Sequence, residues 1–426
     1  MSTRPLKICV VALNAYPAID ALVPGGIGGI ETRSWAFARG LASREDCDVT
    51  FIVRHEQPLR QSAYHGVQVR LLRDRTYSVR ESLAVRLQRQ TRFPWVTLKQ
   101  PRLADAFYLP YFAIQRLLAG KRDSRKSTSF FRRMDADVFL TFGVQGNSAT
   151  VIASAQSRKR PAVLCLGSDY DLDDRYLAPS GTLNTYHDSD VVCRWIIDSA
   201  NAILCQTEAQ QARLEAFGRS GICLPNPIDL VEWDRLLDTP LANPIFDLSR
   251  FVLWIGRAEN VYKRPDICLE LARLCPDIPF VMILNRRDDA VEASIRREAP
   301  PNVTMIERVP FPRIPQLMRY ATMLVNTSTR EGFPNTFLQA AATRTPIVSL
   351  NVENDFLETS RAGACAKGNL NRMAEQVQLW WKTPPSQEEL TYARHYVEEH
   401  HSLISLSEKL AQVLREVCRE YSAQTK

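Results

Sequence analysis

The 426 residues include 54 Lys and Arg against 47 Asp and Glu, a formal net charge of +7, with 45% hydrophobic and 24% charged residues. That balance is ordinary for a folded chain and excludes a disordered one. The length exceeds what one hydrophobic core serves, so two domains are expected.

The ten cysteines are scattered and form no CxxC pair. This favours reduced thiols in a cytoplasmic setting over a disulfide framework or a zinc site. The opening "MSTRPLKICVVALNAYP" lacks the apolar core of a signal peptide and leads straight into a strand pattern. No apolar run reaches the roughly 18 residues of a membrane-spanning helix.

In chain order, "LKICVVALN", "CDVTFIVR", "ADVFLTFG", "AVLCLGS" and "NAILCQT" read as buried strands that alternate with helical patterns such as "IETRSWAFARGLASR". Continuous apolar strands alternating with helices predict a parallel sheet. A proline-rich stretch near residues 225–250 then predicts a linker, after which "FVLWIGR", "FVMILN", "NVTMIE", "TMLVNTS" and "TPIVSL" restart the alternation. The expected division is a first domain over residues 1–225, a second over 226–400 and a terminal helix over 401–426.

Residues 70–133 hold sixteen Lys and Arg against four Asp and Glu. The block predicts an insertion of amphipathic helices in the first domain, suited either to packing on the sheet or to an anionic membrane surface. No base-reading module accompanies the charge, so nucleic acid is not an expected partner.

Three clusters can carry chemistry. In "VPGGIGGIETRS", Gly28 and Gly29 enter a helix, where free amides and the helix dipole suit an anion. The glycines do not follow the first strand directly, and Glu31 holds the third glycine position, which argues against a nicotinamide or flavin site. In "WIGRAENVYKRPD", a strand ends at Gly256, and Arg257 and Lys263 offer a fork and a point charge for a diphosphate. In "TREGFPNTFLQAAATRTPIVSL", Glu331 precedes the turn Gly332–Phe333–Pro334, and Pro334 or Asn335 opens a helix whose first amides, at Asn335 and Thr336, are free for an anion. Glu331 itself suits sugar hydroxyls, and Gln339 can meet another hydroxyl one turn on. The acidic run Asp169, Asp171, Asp173 and Asp174 lacks the glycine and glutamate of a calcium loop, so no metal site is expected.

Taken in order, "GGIGGIE", "LPNPIDL", "IGRAENVYKRPD" and "EGFPNTFLQAAATRTPIV" resemble the landmarks of GT-B fold retaining glycosyltransferases of the GT4 family. The likeness is specific over roughly residues 220–350 and looser before that. It implies an α/β fold of two Rossmann-like doubly wound domains facing across a cleft, with a terminal helix returning to the first domain. It also implies a UDP- or GDP-sugar donor as substrate, no separate cofactor or metal, and a glycan, lipid-linked or small-molecule acceptor.

By position, Arg257 and Lys263 would hold the diphosphate, Glu331 the sugar hydroxyls, and the Pro334–Thr336 amides sugar or phosphate oxygens. Gly28 and Gly29 would close over the diphosphate. Gly256, Phe333 and Gln339 fall among the donor-side positions and Asp169 on the acceptor side. Two positions depart from the family pattern: Gln339 stands where a second glutamate is common, and Leu166 where many members have histidine. These departures leave a second reading, a weakened nucleotide- or glycan-binding scaffold on the same fold.

Overall fold

The computed structural model describes residues 4–89, 92–93, 96–98, 101–119, 123–184, 187–239, 250–353 and 355–424. The first domain is built on β1 (Leu6–Val11), β2 (Cys47–His55), β3 (Ala63–Tyr64), β4 (Val67–Arg73), β7 (Val138–Phe142), β8 (Ala162–Cys165), β9 (Ala202–Cys205) and β10 (Ile222–Cys223), with β5 (Leu87–Arg89) and β6 (Val96–Leu98) forming a separate ribbon. Its sheet runs β10-β9-β8-β7-β1-β2-β4-β3, parallel except for the β3–β4 hairpin. Such sheets are covered on both faces, which is why their strands are apolar throughout. One face packs Val10, Phe37, Phe51 and Leu140, and the other Cys9, Ile52, Phe139 and Leu164.

The second sheet contains β11 (Phe251–Arg257), β12 (Phe280–Asn285), β13 (Val303–Ile306), β14 (Ala321–Asn326), β15 (Ile347–Ser349) and β16 (Gly363–Cys365). Its order, β13-β12-β11-β14-β15-β16, is all parallel and doubly wound. The strand order reverses between β11 and β14, and in such sheets ligands bind beyond the carboxyl ends of the strands at that point. The Arg257–Lys263 loop follows β11, and the Glu331 turn follows β14.

Part of the expected linker is not bare loop. Residues 230–238 form a helix whose Trp233 is fully buried in the second domain's core. Residues 240–249 of that stretch lie outside the described residues.

The helices that matter for the site and the domain junction are α1 (Gly29–Ala42), α2 (Tyr77–Arg86), α3 (Asp105–Ala119), α4 (Glu208–Glu215), α5 (Pro265–Leu274), α6 (Asn335–Ala342), α7 (Gln387–His400) and α8 (Leu403–Gln424). The chain crosses between domains twice at one place. Ile228 N donates to His401 O and Leu403 N donates to Ile228 O, so the outgoing and returning segments pair. Beyond that pairing α8 lies on α1, where a Cβ at Gly40 would overlap the Ser407 hydroxyl, and Leu406, Leu410, Leu414 and Val417 enter the first domain's core.

The basic block is an insertion between β4 and β7, but it is not purely helical. Arg70 and Arg73 belong to β4, and the β5–β6 ribbon separates α2 from α3. The missed ribbon has a simple cause: three-residue strands are too short for a period-2 pattern to show. Part of the charge is spent inside the block. Arg86 forks onto a buried Asp105, Nη2 to Oδ1 at 2.7 Å, and its hydrogen bonds hold that carboxyl down at about 2. Arg80 and Arg125 pair with Asp74 and Asp123. On and beside α3, Leu103, Phe107, Tyr111 and Ile114 remain exposed.

Candidate active site

The centre of the site is an ion pair between two loops of the second domain. Lys263 Nζ lies 2.7 Å from Glu331 Oε2, and both side chains are largely buried. Asn326, the last residue of β14, donates from Nδ2 to the other carboxylate oxygen at 3.0 Å. Burial pushes the Glu331 carboxyl up, but the Lys263 charge and hydrogen bonds from Lys263, Ser328 and Asn326 outweigh it and hold the group below its ordinary range. Glu331 is therefore anionic at neutral pH and able only to accept hydrogen bonds.

Each loop is fixed by its own sequence. In the first, the Glu259 carboxylate accepts from the amides of Val261, Tyr262 and Lys263 at 3.2, 3.1 and 2.8 Å. Those amides are thus already occupied, and charge for a phosphate must come from side chains. Arg264 takes a left-handed conformation (φ 50°), and Pro265 then opens α5 at the position where its missing N–H costs nothing. The Thr327 hydroxyl accepts from Trp254 Nε1 and reaches the Lys263 and Arg264 carbonyls at 3.0 and 2.9 Å. Thr329 N donates to Tyr262 O at 2.8 Å, so the two loops are joined as well as adjacent.

Arg257 ends β11 half-buried at the same sheet end. Among the described residues no carboxylate pairs with its guanidinium. Gly256 has a packing reason to be glycine: a Cβ there would run into the Trp254 indole.

Helix α6 begins at Asn335 with Pro334 as its cap residue, so the proline sits just outside the first turn. Phe333 packs in the core against Phe356 and His401, and its carbonyl accepts from Asn226 Nδ2 at 3.1 Å. Thr336 and Gln339 are half-buried on α6.

The cleft between the domains brings further predicted residues together. Gly28 caps α1 and donates its amide to Glu31 Oε2 at 2.9 Å. Gly29 O accepts from Asn335 Nδ2 at 3.4 Å, which puts the glycine loop against the start of α6. Asp169 accepts from Gln210 Nε2 at 2.9 Å and faces Arg330 at 3.7 Å.

The remaining aspartates of that run are each committed elsewhere. Asp171 is half-buried and accepts from the amides of Val144, Gly167 and Ser168, Asp173 pairs with Arg175, and Asp174 with Arg213. Among the described residues no group of His, Cys, Asp or Glu is placed to hold a metal ion. Leu166 is fully buried in the first domain's core, and what it offers nearby is a carbonyl, which accepts from Arg33 Nη1 at 2.8 Å.

Several residues of the site carry no local sequence signal. Asn226 donates to Phe333 O and Asn335 Oδ1 and accepts from Gln206 Nε2, while its carbonyl meets His401 Nδ1 at 2.8 Å. Gly332 packs so tightly on the first domain that a Cβ would overlap Gln206 Oε1 and approach Gln210 Nε2 and Ser168 Cα. The hint in the sequence is the residue types themselves: Gln206 just after β9, Gln210 on α4 and Asn226 beside the crossing between domains.

Residues 249–382 match the family model described as glycosyl transferases group 1. That stretch spans most of the second domain, and the whole chain has the GT-B fold. Sucrose-phosphate synthase from Thermosynechococcus elongatus superposes with a TM-score of 0.65 at 14% identity, covering 97% of this chain and 99% of that one. The E. coli trehalose-6-phosphate protein bound with UDP-2-fluoro glucose gives 0.60 at 11% identity, covering 96% and 98%. AviGT4, a glycosyltransferase involved in avilamycin A biosynthesis, gives 0.55 at 15% identity, covering 97% and 98%. No curated protein sequence matches the chain. The matched segment contains both loops of the Lys263–Glu331 pair, whereas Gly28, Gly29 and Asp169 belong to the other GT-B half.

Proposed function

We propose that the protein transfers a sugar from a UDP- or GDP-sugar to a glycan, lipid-linked or small-molecule acceptor, with retention of anomeric configuration and without a metal. The observation that carries this reading is the Lys263–Glu331 pair at the switch point between β11 and β14, inside the stretch that matches the group 1 glycosyl transferase model. Arg257 and Lys263 meet the donor diphosphate and stabilise the negative charge that grows on it as the glycosidic C–O bond breaks. Glu331, held anionic, accepts hydrogen bonds from donor-sugar hydroxyls. The first-turn amides of α6 face sugar or phosphate oxygens, and the glycine loop covers them from the first domain. The acceptor hydroxyl attacks on the face that the diphosphate leaves, and its proton passes to the departing phosphate oxygen.

We further place the protein at the cytoplasmic face of an anionic membrane, touching it reversibly through the basic insertion. Exposed Phe107, Tyr111 and Ile114 on α3, with the surrounding arginines, support this contact. Binding to anionic vesicles that weakens as salt rises is expected, and equal binding to neutral vesicles removes the idea.

The decisive experiment incubates the purified protein with UDP- and GDP-sugars and follows nucleotide release, with NMR assignment of the product anomer. Donor binding without turnover in the presence of a broad acceptor set would favour the scaffold reading. Absence of donor binding by calorimetry would remove the enzyme reading.

A further inference from the structure

Tyr170 reaches across the cleft to both loops of the ion pair. Its ring meets Tyr262 edge to face, with centroids 4.9 Å apart. The Arg330 guanidinium lies over the same ring at 5.4 Å. Tyr262 immediately precedes Lys263, and Arg330 immediately precedes Glu331. One first-domain side chain therefore touches the chain neighbour of each member of the pair.

The loop that carries Tyr170 is braced from behind. Asp171 gathers the amides of Val144 and Gly167 at 2.9 and 2.6 Å, and Asp169 is held by Gln210 at 2.9 Å. On the other side, the Thr329 N–H to Tyr262 O bond couples the two second-domain loops, so displacing one displaces the other. The exposed Asp169–Arg330 pair, at 3.7 Å, adds little on its own. The aromatic contact is the part with a defined geometry.

We propose that Tyr170 is a positioning residue: when the domains meet, its ring clamps the Tyr262 and Arg330 loops and sets the Lys263–Glu331 pair in its working geometry. The proposal rests on the glycosyltransferase reading for its kinetic consequence, but the clamp itself is testable without any donor.

Hydrogen exchange on the donor-free full chain gives that test. Tyr170→Ala should speed exchange of the Thr329 amide and its loop by about two- to tenfold, the range an aromatic pair supports. Tyr170→Phe, which keeps the ring and loses only the hydroxyl's bond to the Thr329 side chain, should restore most of the protection. Unchanged exchange in Tyr170→Ala overturns the clamp. With a donor that the wild type turns over, Tyr170→Ala should lower kcat by a similar factor while donor KM moves less. A rise in KM with kcat unchanged would make Tyr170 a substrate contact and overturn the positioning role. If the wild type binds no donor, the enzyme reading fails and the exchange result alone decides the clamp.

Discussion

Lys263 Nζ and Glu331 Oε2 stand 2.7 Å apart although 68 residues separate them in the chain. Each neutralises the other, which lets two charges sit largely buried. On the proposed function, the donor meets Lys263 on its phosphate side and Glu331 on its sugar side. Lys263→Ala is expected to lower kcat by about 10²- to 10³-fold, the cost of removing one preorganised charge stabiliser. Glu331→Gln keeps an acceptor oxygen and should lose less than Glu331→Ala. Steady-state kinetics with the identified donor checks both, and equal activity of all three variants would remove the pair from the chemistry.

Gly332 is required by contact with the other domain. Any Cβ there meets Gln206, Gln210 and Ser168, two of them on well-buried amides. Gly332→Ala should therefore hold the cleft partly open and lower kcat/KM by about tenfold or more, since misplacement by an ångström is costly at a reacting site. Thermal stability should change little by comparison, because the second domain's core is untouched. Small-angle scattering would register an expanded shape. A variant with unchanged scattering and activity would show that the interdomain contact gives way freely.

Gln339 keeps a carbonyl acceptor but lacks the charge common at this position in the family that the sequence resembles. Gln339→Glu should tighten donor binding by about fivefold, because a hydrogen bond to a charged acceptor is worth ~1 kcal/mol more than a neutral one. Calorimetric titration of the donor into both proteins reads this directly. Weaker binding in the glutamate variant would show that the amide is tuned to its own donor.

His401 is buried where the returning chain meets Phe333, Phe356 and Tyr396. Burial pushes its pKa from 6.5 down to about 4, despite the Asn226 carbonyl that favours the charged form. Between those values the unfolded chain binds a proton that the folded chain refuses. Stability from this group is intact above pH 6.5 and declines as pH falls toward 4, by about 1.4 kcal/mol per pH unit. Denaturant melts of wild type and His401→Phe across that window should converge as pH falls. Parallel curves would show that His401 titrates normally in the folded state.

The tail helix joins the domains through packing. Leu410 and Leu414 are fully buried in the first domain's core, although they follow the second domain in sequence. Leu414→Ala should cost ~2–5 kcal/mol, the usual range for a buried leucine, and should appear in the first domain's unfolding. Calorimetry that resolves two transitions would test it, and a shift in the second transition alone would contradict the assignment.

The sequence by itself marked β1, β2, β7, β8 and β9 of the first sheet and β11 to β15 of the second, because parallel strands covered on two faces must be apolar throughout; β3, β4, β10 and β16, short or charged, were not read from it. It also determined the loops that bear Arg257, Lys263 and Glu331, because glycine, proline and charge at a strand's end mark a turn into a helix. It placed Pro334 at the mouth of α6, though not on which side of the first turn. Only the tertiary structure decided which residues meet. The contact of Gly332 with Gln206, the Tyr170–Tyr262 pair and the Asn226 hub join segments separated by tens to more than a hundred residues, and no periodicity within either segment records its partner. Nor did local pattern reveal that Leu166 turns into the core or that Glu259 fills the amides beside Lys263. Local sequence encodes local conformation; the cleft is assembled from strand ends whose proximity depends on sheet order, and that order is set by the packing of the whole chain.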